Sequence, residues 1–92
     1  MQDIVYPAVF RYEPTNKVYL VNFPDFYGST EGDTLIEAYH MAGDCLLCMI
    51  DQTKPLPTPT PYEQVVRNHS NDIVLLVKPS LWVHPNLRNN HK

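Results

Sequence analysis

The sequence predicts an α+β fold in two layers: an antiparallel sheet of three to four strands covered by one main helix, in the order β-β-β-α-β. Three observations predict it. Residues 3–23 contain two apolar-rich runs around a turn, residues from Leu35 onward repeat apolar side chains at helical spacing, and residues 72–78 hold a continuous apolar run.

From Asp3 to Glu13 the apolar residues alternate, with Ile4, Tyr6, Ala8, Phe10 and Tyr12 on one face and Val5, Pro7, Val9 and Arg11 on the other. Pro7 has no N–H to give a ladder, so this strand is expected at an edge, or with its proline at an unpaired position. Pro14-Thr15-Asn16 supplies a turn, Asn16 being the residue tolerant of positive φ. Lys17 to Phe23 then completes an antiparallel hairpin. Phe26 to Thr30 offers a short third strand. The stretch from Phe23 to Thr34 joins sheet to helix and carries Pro24, Gly28, Gly32, Asp25, Glu31 and Asp33. Its glycines are expected to make the turns.

The helix opens on Thr34-Leu35-Ile36-Glu37, a capping box in which Thr34 accepts from the Glu37 amide and Glu37 reaches back. Leu35, Ala38, Tyr39, Ala42, Cys45, Leu46 and Met49 form one apolar stripe. Ile36, Met41, Leu47 and Cys48 lie opposite. That excess predicts either a helix deeply buried in its own domain or a second face offered to another subunit or partner. Pro55, Pro57, Pro59 and Pro61 alternate with Leu56, Thr58 and Thr60, which predicts an extended connector with polyproline character. Tyr62 to Arg67 suits one helical turn. Asp72 to Lys78 reads as a central strand because its apolar run is continuous. Residues 1–84 are expected to form the domain and residues 85–92 a flexible tail.

Composition excludes several classes of function. With seven Lys and Arg against ten Asp and Glu, the net charge is -3, so phosphate-driven nucleic-acid binding lacks its usual electrostatic source. No apolar run approaches the roughly 20 residues of a membrane span. The N-terminus lacks a basic region followed by an apolar one, so a cytoplasmic, soluble protein is expected.

The chemistry-bearing residues form no recognisable catalytic set, and no enzyme, cofactor or metal is expected. Cys45-Leu46-Leu47-Cys48 has redox spacing, but its thiols stand inside a helix rather than at its N-terminus, so packing is the expected role. His40 and Asp44 share a helix face yet supply only two ligands. His69, His84 and His91 fall in polar segments. No phosphate loop, nucleophile elbow or metalloprotease motif is present. Tyr6, Tyr12, Tyr19 and Tyr27 lie on or beside the sheet, an arrangement used for stacking RNA bases, though only Arg11 and Lys17 accompany them.

Tyr6-Pro7-Ala8-Val9-Phe10, Phe23-Pro24-Asp25-Phe26, Gly28, Gly32-Asp33-Thr34, Leu35-Ile36-Glu37-Ala38 and the Asp72 to Val77 strand, in that order, resemble the HicB-type antitoxin domain. The resemblance covers residues 4–78. It implies a partial RNase H-like fold without nuclease activity. It also implies a partner, a small basic HicA-type mRNA interferase that the domain covers. There are departures: the Gly28 to Gly32 loop is shorter than usual, and Tyr27 stands where proline is common. The residues after Lys78 are too few for the C-terminal DNA-binding module of full antitoxins, so no DNA binding is expected.

The expected partner-binding residues are therefore Asp25 and Glu31, with Asp33 unless it merely supports the helix cap, as charge complement, and Phe26 and Tyr27 as apolar anchors. Phe26 packing inward is the competing expectation. A homodimer or higher homo-oligomer through a sheet edge or the second helix face is also expected. The alternatives are an RNA-binding module with an aromatic-bearing sheet, and a solitary domain of structural or regulatory role with no cognate toxin.

Overall fold

In a computed structural model, which describes residues 4–82, the chain forms β1 (Tyr6–Glu13), β2 (Val18–Asn22), β3 (Ser29–Gly32), α1 (Leu35–Gln52), α2 (Tyr62–Asn68) and β4 (Ile73–Val77). The expected tail at 85–92 lies outside the described residues. The sheet is four-stranded and antiparallel throughout, with strand order β3-β2-β1-β4. This is the α+β arrangement that the periodicities predict, with the third strand shifted to begin at Ser29 rather than Phe26.

Of the two alternatives for β1 the edge position fails and the unpaired proline holds on the β2 side, while β4 differs from expectation. β1 is interior, flanked by β2 and β4, although it carries Pro7. Pairing with β2 stops at Val9↔Asn22, so Pro7 has β4 alone beside it, opposite Leu76. A missing N–H is tolerated where one neighbour has already ended. β4 is an edge strand, not a central one. Its run is apolar because helices pack against both of its faces, not because strands lie on both sides.

The main core lies between the sheet and α1. Tyr6, Ala8, Phe10, Val21, Phe23 and Val77 meet Ala38, Ala42 and Leu46 there, all 3% exposed or less. On the opposite face Val9 and Val74 pack against Val65 of α2. β1 alternates between these two clusters, as its sequence predicts.

The capping box closes the start of α1 as expected, with the Glu37 amide donating to Thr34 Oγ1 at 3.0 Å. Glu37 Oε1 reaches back to the Asp33 amide at 2.6 Å, one residue earlier than the Thr34 cap itself. In the β1–β2 turn the residue at positive φ is Lys17 (57°), not Asn16. Asn16 and Thr15 instead donate their amides to the Glu13 carboxylate at 2.7 and 3.2 Å. Those amide contacts, Asn16 first, hold the Glu13 carboxyl below its usual range.

Neither Gly28 nor Gly32 has positive φ, so the glycines do not make turns by backbone freedom. They make room. A Cβ on Gly32 would lie 2.5 Å from the Ala38 amide nitrogen and 2.7 Å from its Cα. One on Gly28 would meet the Met49 thioether.

Candidate partner-binding site

The segment from Phe23 to Thr34 leaves β2, adds β3 at the sheet edge and enters α1. Its four expected contact residues divide into two pairs. Asp25 and Phe26 hold the segment in place; Tyr27 and Glu31 face outward.

Asp25 is half-buried and uses both carboxylate oxygens within the chain. One accepts the Thr60 amide at 3.0 Å and the other accepts Thr60 Oγ1 at 2.6 Å. The proline connector is thereby tied to the loop. Tyr6 makes a second tie, donating its hydroxyl to the Pro57 carbonyl. Burial, and then the nearby Asp25 charge, raise the Tyr6 pKa, so this hydroxyl keeps its proton to donate. Asp25→Ala is expected to destabilise the fold by about 1.5–3 kcal/mol, the usual worth of hydrogen bonds to a charged group. A urea titration would read this as a lower midpoint.

Phe26 turns inward, as its competing expectation holds. Its ring meets Tyr6 edge-on with centroids 4.7 Å apart and Phe23 likewise at 6.3 Å. It is partly buried against the main core. Tyr27, next in the chain, is fully exposed. Glu31 is exposed on edge strand β3, opposite Leu20 of β2. Asp33 is exposed just beyond it. An exposed aromatic ring thus stands on a loop anchored from beneath, and two exposed carboxylates follow it on and beyond the edge strand β3.

Other candidate groups are placed as follows. Burial, then Cys48 and Asp44, push the Cys45 thiol pKa up, the opposite of what a reactive thiol needs. Cys45 packs with its Sγ 3.9 Å from the Ser29 carbonyl, while Cys48 is exposed. His40 stacks on Trp82 with ring centroids 5.1 Å apart. Among the described residues no group of three His, Cys, Asp or Glu side chains could hold a metal ion. Nor is any helix there long and apolar enough to cross a membrane. The second face of α1 is not buried in its own domain: Ile36 is 73% exposed, and Leu47 and Cys48 also reach solvent. Near its C-terminal end an open groove of about 640 Å³ is lined by Leu47, Cys48, Leu56, Leu81 and the carboxylates of Asp44 and Asp51, among others.

The sheet tyrosines do not form an open stacking platform. Tyr6 is buried in the main core, and Tyr19 packs against that core while pairing with Tyr12 at 5.0 Å between centroids. The tie between Asp25 and Thr60 could not be found from sequence, because the two residues stand far apart in the chain and share no local pattern.

No protein-family model, no curated protein and no solved structure matches this chain.

Proposed function

We propose that the chain is a non-catalytic interaction domain of the HicB antitoxin type, which covers a small basic RNA-cleaving protein of the HicA type in the cytoplasm. The observation that carries this reading is the exposed loop at Tyr27. The ring is fully exposed while its neighbours Asp25 and Phe26 are tied down, so little order remains to be lost on binding. Glu31 and Asp33 follow it, on and just beyond the edge strand β3, and residues 24–33 contain no lysine or arginine. A basic partner is drawn to such a surface, and a nucleic acid is repelled by it. Tyr27 supplies an anchor of the residue type that dominates interface energetics.

The experiment is co-expression with the product of a short adjacent reading frame encoding a basic, histidine-containing domain. The two are expected to co-purify and the toxin's RNA cleavage to stop. Tyr27→Ala with Glu31→Lys is expected to weaken the complex at least ~10-fold, as loss of a binding hot spot does, with no shift in the unfolding midpoint of the free domain. Failure of the two products to co-purify would dispose of the reading.

A further inference from the structure

Among the described residues β4 has β1 on one side and no strand on the other. Its residues, Ile73-Val74-Leu75-Leu76-Val77, are uncharged, and Asp72 and Lys78 bound them. Ile73 is 40% and Leu76 49% exposed, so apolar surface reaches water on both faces of this edge. An unpaired apolar strand is a template for another strand.

The edge is not bare. Val74 and Leu76 are alternate residues, so their carbonyls point the same way. Tyr62 of α2 donates its hydroxyl to the Val74 carbonyl at 3.1 Å, and Tyr39 of α1 donates to the Leu76 carbonyl at 3.3 Å. One phenol thus arrives from the helix on each face of the sheet.

We propose that the β4 edge is an interface between two copies of this chain, paired antiparallel about a two-fold axis at Leu75, with the Tyr39 and Tyr62 hydroxyls standing in for the second copy's N–H donors while the copies are apart. The charge pattern fixes both the occupant and the register. Antiparallel pairing centred on Leu75 sets Val74 opposite Leu76 of the second copy, Ile73 opposite Val77, and Asp72 opposite Lys78. Opposite charges therefore meet at both ends of an apolar centre, and the two-fold axis repeats each contact. A slip to a centre at Val74 sets Asp72 opposite Leu76 and Lys78 opposite Ser70, and loses both charge pairs. Asp72 is an anion already held in place, accepting from Arg11 Nε at 3.1 Å and Nη2 at 3.0 Å. His69 Nδ1 stands 3.6 Å from the same carboxylate, and exposed Lys78 of the second copy would add a further cation at that end of the strand. Pairing joins the two sheets into one, and it requires the weakly held phenols to swing aside. This interface does not depend on the toxin reading.

Sedimentation of the full chain over a range of concentrations tests it. A reversible dimer is expected, in which Lys78→Asp weakens association at least ~10-fold by setting like charges across the edge. Lys17→Asp, the same charge change at the distant hairpin turn, is expected to have no effect. Tyr39→Phe with Tyr62→Phe removes the competing donors and is expected to tighten the dimer about 10-fold. Hydrogen exchange should show the Val74 and Leu76 amides protected only at dimerising concentrations. A wild-type chain that stays monomeric at millimolar concentration overturns the proposal. So does a dimer that folded Lys78→Asp leaves intact, with those two amides unprotected.

Discussion

Replacing Phe10 by alanine is expected to lower stability by about 3–5 kcal/mol, the range for truncating a buried aromatic. Phe10 sits at the middle of the interior strand, 1% exposed, and is the largest of the fully buried side chains. Its ring stacks toward Tyr39 at 6.4 Å between centroids, so it fills the space between sheet and helix. The hole would be lined by β1, β2 and α1, whose backbones are fixed by pairing and capping and cannot easily close over it. Small domains have only about 5–15 kcal/mol of stability in total. The variant should therefore be partly unfolded at moderate temperature, and a urea titration followed by far-ultraviolet circular dichroism would measure the loss. A loss below ~1 kcal/mol would show that the core is not packed around this ring.

Gly32→Ala is the second large effect. The added methyl would press on the backbone of Ala38 in the first turn of α1, where no flexible side chain can move away. Overpacking against backbone is expected to cost about 3 kcal/mol, the upper end of the usual range. Gly28→Ala is the matched contrast, because its new methyl meets only the Met49 thioether, which can change rotamer. Thermal unfolding of both variants should place Gly32→Ala well below Gly28→Ala. Equal midpoints would mean that α1 lies further from β3 than the contact indicates.

Thr34 and Glu37 announce the start of α1 because a cap is local, made of residues three apart. The β1 faces are legible because alternation is also local. What the sequence could not convey was long-range. The run from Ile73 to Val77 reports that a helix packs against each face, and says nothing about how many strands lie beside it. Pro7 reports a missing donor, and only the length of β2 reveals why that does no harm in an interior strand. For the candidate site, Tyr27 and Glu31 were legible as surface groups. Asp25 was not legible as a structural tie, because its partner Thr60 lies on the far side of α1 in sequence.

The position of β1 between two packed clusters bears on how the sequence can drift. A strand with one wet face can vary at every second residue without cost to the core. From Tyr6 to Phe10 every residue is buried, because α1 covers one face and α2 the other. Neutral substitution has no alternate position to use along this strand. Descendants of this protein would therefore keep those five residues as a block, apolar and close to constant in volume, while the edge strands around them diverge.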